Sequence, residues 1–257
     1  MLVTAMQMSF PAKGSLFVAL MIPSLLCAET ATVAVASNFV PVMKRLVTEF
    51  EETSGHTIRF SSGSTGKLYT QIIYGAPYDM FLAADQERPA ILKKKNLGKQ
   101  LLTYAIGELY LCSSDISKKV SPEALKDESY QYLAIANPQT APYGTAAKEV
   151  VHNLGLNDAL RGRMITGENI AQTYQFMMTG NATYAFIAKA QVISTPGVNC
   201  WQVPQNLYSP IKQDALLLKR GASNAAATEL FVYLSSEEAM EKIVSSGYRV
   251  AKQGERE

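Results

Sequence analysis

The stretch RFSSGSTGKLYTQI, Arg59 to Ile72, gathers the hydroxyls of Ser61, Ser62, Ser64, Thr65 and Thr70 and the glycines Gly63 and Gly66 around Lys67. Small hydroxyl residues and glycines in one loop suit an anion. The anion is either a nucleotide phosphate being hydrolysed or a guest to which nothing happens. A phosphate-binding P-loop reads G-x-x-x-x-G-K-[ST]. Here Leu68 follows Gly66-Lys67, and Ser61 stands where the first glycine belongs. The first glycine and the metal-binding hydroxyl are both missing, so the nucleotide reading fails. Lys67 falls in the first turn of a helix, pointing to solvent or to a cleft rim. The bland alternative for the hydroxyls is ordinary helix capping and turn formation.

Ser37 raises a second chemistry, nucleophilic attack. That needs a base oriented by a third group. The histidines are His56 and His152. His56 begins a strand and His152 lies within a helix, so both are expected on the surface, away from the strand ends where chemistry collects. Paired carboxylates of the glycosidase kind are also missing. Asp85 and Glu168 are the acids at strand ends, and both read as helix-start residues. If Asp85 reached a ligand, it would favour a protonated oxyanion, whose hydrogen needs an acceptor.

The elements that must position these residues alternate. TVAVAS (32–37) reads as a buried strand. FVPVMKRLVTEFEETSG (39–55) reads as a helix with Val42, Leu46 and Phe50 on one face, Pro41 in its first turn and Gly55 at its end. HTIRFSS is a strand, GKLYTQIIYG a short helix, YDMFLAA a strand, and DQERPAILKKKNLG a helix opened by Asp85. Such alternation predicts a parallel sheet covered on both faces. LLTYAIGELYLCSS then reads as one long extended run. QYLAIANP, RMITGEN, ATYAFIAKAQV, VNCWQVPQN and DALLLKR supply further extended segments. GTAAKEVVHNLG and NIAQTYQFMMTGN are helical. The C-terminal NAAATELFVYLSSEEAMEKIVSSG is helical with a break near Ser235–Ser236. Two α/β groups result, one before about Leu109 and one after, with the last helices expected to rejoin the first group.

Ligands of open α/β sheets bind outside the carboxyl ends of the strands. Helix N-termini there offer free N–H groups and a positive dipole end. At those junctions the chain places Ser37-Asn38, Gly63-Ser64-Thr65-Gly66, Ala141-Pro142-Tyr143-Gly144 and Gly167-Glu168-Asn169-Ile170. Such a set holds an anion by neutral N–H and O–H donors alone.

Composition fits a folded, exported protein. The 257 residues are 47% hydrophobic and 18% charged, with a formal net charge of +2. That charge is too small to argue for nucleic acid or an anionic membrane. Residues 1–28 contain one charged residue, Lys13, followed by the apolar SLFVALMIPSLLCA. This is the pattern of a secretory signal peptide cleaved after Ala28, too short for a membrane span. Cys27 offers a lipid anchor as the lesser option, because Leu25 and Leu26 stand where small residues are needed. Cys112 and Cys200 then remain, as a disulfide permitted by an oxidising compartment or as two buried free thiols. Two cysteines without nearby histidines make a poor metal site.

VAVASNF, FSSGSTGKLYTQI and GAPYDMFLAADQERPAILKKKNL resemble the periplasmic molybdate-binding proteins of ABC uptake transporters. AIANPQTAPYGTAAKEVVHNLG and GENIAQTYQFMMTGNATYAFIAKAQV fit the same family, so the resemblance runs from about Thr32 to Tyr248. It implies a type II periplasmic binding protein: α/β, two-lobed, mixed sheets flanked by helices, and two crossover segments. Lobe one would take residues 29–107 and 209–257, and lobe two 108–208. The implied contacts to a tetrahedral oxyanion are Ser37, Asn38, Ser64, Thr65, Tyr143 and the backbone N–H of Ile170. Molybdenum would enter only as the oxyanion, with no direct protein ligand to the metal and no cofactor. The expected partner is a membrane permease, and the expected state a periplasmic monomer without catalytic activity. One position departs from the pattern. Ala188-Lys189 stands where some relatives have a ligand-donating tyrosine, so Tyr143 or Asn38 would replace that donor, or nothing would. Tungstate, sulfate and phosphate remain rival ligands. An exported serine hydrolase using Ser37 or Ser64, or a signalling or adhesion module, remains a rival class.

Overall fold

The computed structural model describes residues 28–127 and 129–250. The predicted leader, with Cys27, therefore lies outside the described residues apart from Ala28.

The chain builds the same plan twice. In the first half, strands β1 (Thr30–Ala36), β2 (Thr57–Gly63) and β3 (Met80–Leu82) alternate with helices α1 (Val40–Ser54), α2 (Thr65–Ile73) and α3 (Glu87–Lys94). A short 3-10 turn, Ser37–Phe39, precedes α1. Strand β4 (Gly98–Gly107) follows. The second half runs β5 (Leu109–Ser113), β6 (Leu133–Ala136), α4 (Pro142–Asn153), β7 (Met164–Gly167), α5 (Ile170–Met178), β8 (Tyr184–Ala188), α6 (Lys189–Ile193) and β9 (Asn199–Gln202). The chain then returns through β10 (Ile211–Leu218), α7 (Ala225–Tyr233) and α8 (Glu237–Ser245).

Two five-stranded sheets result, ordered β2-β1-β3-β10-β4 and β7-β6-β8-β5-β9. In each, four strands run one way and a single strand runs against them: β10, between β3 and β4, in the first sheet, and β5, between β8 and β9, in the second. The alternation of the first elements gives the parallel strands, and the sheets are mixed, as the family resemblance implies, because the strands that carry the chain between the halves enter from the opposite end. The run LLTYAIGELYLCSS is not one strand. It divides at Glu108, with β4 in the first sheet and β5 in the second.

Alternation along each strand feeds two core layers. Val33, Val35, Met80, Leu82 and Leu217 pack with Met43, Leu46, Leu230 and Ile243 on one face of the first sheet. Ala34, Phe81, Leu216 and Leu218 pack with Leu68 and Leu92 on the other. In the second sheet Leu109, Leu111, Ile135 and Phe186 meet Val150 and Val151, while Cys112, Ala134, Ala185 and Ile187 meet Met177.

Local signals explain several boundaries. Gly55 ends α1 in the left-handed region at φ 72°, where a side chain is strained. The break near Ser235–Ser236 is real: α7 stops at Tyr233, and the Ser236 side chain caps α8 by accepting from Ala239 N at 3.2 Å. Cys112 and Cys200 stand opposite each other on β5 and β9 and form a disulfide. Near the end of the described chain, Arg249 exchanges two backbone bonds with Ile106 (2.6 and 2.9 Å). Its guanidinium reaches Glu108 (3.3 Å) and Gln205 (2.9 Å), so this segment ties both crossings together.

His56 corrects an expectation. It is buried, with Nδ1 accepting from Glu29 N at 3.0 Å and its ring stacked on Phe50. On its other side Nε2 lies 3.3 Å from the Glu229 carboxylate of α7, so the ring is buried between Phe50 and polar partners at both nitrogens. His152 is exposed.

Candidate functional site

Register places the helix starts side by side. Ala36 stands opposite Gly63 in the first sheet, and Ala136 opposite Gly167 in the second. The two pairs of strand ends face each other across a cleft. Gly66 N donates to Thr140 O (2.8 Å) and Arg88 Nη2 to Gln139 O (2.9 Å), so the two halves touch there. Lys67 pairs with Glu168 at the rim, and both side chains are more than half exposed.

Between the halves lies a cavity of about 10 Å³, on the scale of one water-sized sphere. Ser37, Asn38, Ser64, Thr65, Tyr143 and Ile170 all line it, with Ala36, Gly63, Ala84, Ala141 and Pro142. No lining residue is charged.

The donors differ in how they are held. Ser64 occupies the N-cap position of α2, yet its hydroxyl makes no capping bond. Ser37 opens the 3-10 turn and caps nothing either. Thr65 Oγ1 accepts from Ala84 N (3.0 Å) and keeps its own proton to donate. Asn169 does cap α5, its Oδ1 accepting from Ala171 N (2.9 Å) and Gln172 N (3.1 Å). That cap leaves over the first donor of the helix, the N–H of Ile170. Helix α4 starts hard against the end of β6. A Cβ on Gly144 would lie 2.1 Å from Ala136 O, so only glycine lets this helix start reach the cleft.

Helices α1, α2, α4 and α5 carry no acidic residue in the first turn; nor do α6 and α7, whereas α3 and α8 do. Acids normally settle on the positive end of a helix. Four converging starts left without them keep their field for a guest anion.

Asn38 and Tyr143 turn their side chains away from this role. Asn38 Nδ2 donates to Gln213 Oε1 (2.8 Å) and Tyr248 OH (3.1 Å). The Tyr143 hydroxyl accepts from Gln213 Nε2 (3.3 Å). Both side chains are thus committed to bonds inside the protein, and the helix-start N–H groups of the two residues remain as donors. Burial pushes the hydroxyls of Tyr104, Tyr143 and Tyr248 well up from the usual phenol value, so they stay neutral and bring no negative charge near the cavity.

Asp85 is a helix-start residue. Its Oδ1 accepts from Arg88 N (3.0 Å), and its carboxylate pairs with the Arg88 guanidinium. Burial raises its pKa, partly offset by Arg88. It lines a neighbouring cavity of about 290 Å³ with Arg88, Glu149 and Lys212, not the small one. The small cavity therefore offers no carboxylate to a protonated oxyanion. Lys189 does not supply a charge there either. It pairs with Glu108 at the crossing (2.7 Å), and that bond raises its pKa. Among the described residues no histidine or carboxylate lines the cavity beside Ser37. Among the described residues no group of three or more His, Cys, Asp or Glu is placed to hold a metal ion. None of the helices there is long and apolar enough to cross a membrane.

Gln213, Tyr104 and Tyr248 form the polar floor behind the cavity and have no sequence signature. Gln213 sits in β10 between Lys212 and Asp214 and carries no motif.

The family model of bacterial extracellular solute-binding proteins matches residues 31–249. The chain is 43% identical over 217 residues to the molybdate-binding protein ModA of Rhodobacter capsulatus, covering 84% of this chain and 86% of that one. It is 42% identical over 250 residues to ModA of Azotobacter vinelandii, covering 94% and 99%. The solved periplasmic molybdate-binding protein of Azotobacter vinelandii superposes with a TM-score of 0.83 at 33% identity, over 86% of this chain and all of that one. The chain therefore belongs to the bacterial extracellular solute-binding protein family.

Proposed function

We propose that this protein captures molybdate, or tungstate, in the cleft between its two lobes and delivers it to the permease of an ABC transporter. The observation that carries the reading is the uncharged cavity at which four helix starts and the hydroxyls of Ser37, Ser64 and Thr65 converge. Ser37, Asn38, Ser64, Thr65, Tyr143 and Ile170 are the proposed contacts. The names of the relatives favour molybdate within the oxyanions. Phosphate fits less well, because at neutral pH it keeps a proton and the cavity has no carboxylate to accept it. The protein acts outside the cytoplasm as a monomer, binds without turnover and needs no cofactor.

Capture works by population shift. The anion bridges donors of both lobes and stabilises the closed form. Each hydrogen bond to a charged group contributes roughly 1.5–3 kcal/mol. About half a dozen offset the entropy lost on association and still reach micromolar affinity or better. Calorimetry with molybdate, tungstate, sulfate and phosphate in turn tests this. Tight binding of the first two, with phosphate at least about 100-fold weaker, is the expected result. Turnover of an ester that depends on Ser37, or no oxyanion binding, overturns it.

The Lys67–Glu168 pair joins the lobes at the exposed rim. Exposed pairs contribute about 0–1 kcal/mol. Glu168→Gln is therefore expected to speed molybdate release by no more than about fivefold in stopped-flow traces. That difference should vanish at high salt, where the pair is screened.

A further inference from the structure

One side chain outside the cavity holds both walls of it. Gln213, in the returning strand β10, is completely buried. Its Oε1 accepts from Asn38 Nδ2 (2.8 Å) and Tyr104 OH (3.2 Å), both in the first half. Its Nε2 donates to Tyr143 OH (3.3 Å), in the first turn of α4 and so in the second half. Tyr248 closes the ring, donating to Asn38 O at 2.8 Å. The packing leaves no slack where the chain first crosses. A Cβ on Gly107 would lie 2.1 Å from the Tyr143 hydroxyl and 2.9 Å from Gln213 Nε2.

We propose that Gln213 is a positioning residue for anion capture: through Asn38 and Tyr143 it fixes the donors of one lobe relative to those of the other. The inference rests on the anion-binding reading above. An amide presents an acceptor and a donor from one planar group, and here each end serves a different lobe. Any movement of α4 away from the first sheet separates Nε2 from Tyr143 and leaves a buried donor unpaired. The amide thus favours the arrangement in which the Asn38 and Tyr143 backbones face the same cavity. Gln213 itself does not line the cavity.

The test is a double-mutant cycle on the full mature chain with Gln213→Leu, Tyr143→Phe and both together. Tyr143→Phe removes only the hydroxyl and leaves the backbone donor in place. Molybdate affinity, association and release rates, and unfolding temperature without molybdate are measured for each. Each single variant is expected to weaken binding about tenfold, chiefly through faster release. The double variant should lose no more than about either single one, because both break the same link. Losses that multiply overturn the inference, as does lowered apo stability with unchanged affinity. If Gln213→Leu does not fold, Tyr143→Phe decides alone, and unchanged release sinks the link. A wild-type protein that binds neither molybdate nor tungstate overturns the functional reading and this inference with it. A wild-type protein that binds tightly while the variants match it overturns this inference alone.

Discussion

Replacing Ser37 and Ser64 together by alanine is expected to weaken molybdate binding by about 100- to 10,000-fold while leaving the unfolding temperature of the ligand-free protein in place. Two hydrogen bonds to a charged group, at roughly 1.5–3 kcal/mol each, give that range. The apo protein should not notice, because neither hydroxyl caps its helix or turn. Thr65 behaves differently. Its oxygen holds Ala84 N, so Thr65→Ala should cost both affinity and apo stability. Calorimetry paired with thermal unfolding separates the two patterns. If the serine pair lowers the apo unfolding temperature and leaves affinity alone, the hydroxyls are structural and the site lies elsewhere.

The second large effect concerns the disulfide. Cys112 and Cys200 are 88 residues apart and join β5 to β9 at the edge of the second sheet. Closing a loop of that size restricts the unfolded chain, and removing such a bridge typically costs about 2–5 kcal/mol. Cys112→Ala with Cys200→Ala should show that loss in denaturant melts, with molybdate affinity within about twofold of wild type. Neither cysteine lines the cavity, so the effect is on the fold. Reducing agent should reproduce the loss in the wild type and do nothing to the double variant. Equal stability of the two proteins would mean that the bridge restricts nothing.

The fold was largely readable because its local signals agree. β1, β2, β6 and β7 end in alanine or glycine, α2, α5 and α8 open at Ser64, Asn169 and Ser236, and Gly55 ends α1. The residues at four such junctions line one cavity, which follows once the strand ends are level. Other features were not readable, for physical reasons. Nothing local distinguishes the two sheets within LLTYAIGELYLCSS, because Glu108 between them is one polar residue in an extended run. The burial of His56 depends on Phe50 and on the arrival of Glu29, a contact across 27 positions. Gln213 is tied to Asn38 across 175 positions and to Tyr143 across 70. The direction of the Tyr143 hydroxyl follows from that tie, so sequence could assign the residue to the cleft but not its side chain to the floor.

Helix starts have one property that loops of charged side chains lack. In the proposed site, Tyr143 and Ile170 contribute main-chain N–H groups at the openings of α4 and α5. Nearly every amino acid carries that group, so exchange at such a position alters shape without erasing the donor, and proline alone removes it. A saturation library would therefore find tolerance at 170 for apolar residues of similar bulk and intolerance of proline. Selection could reshape the pocket walls, and with them guest size, without dismantling the contacts that recognise negative charge.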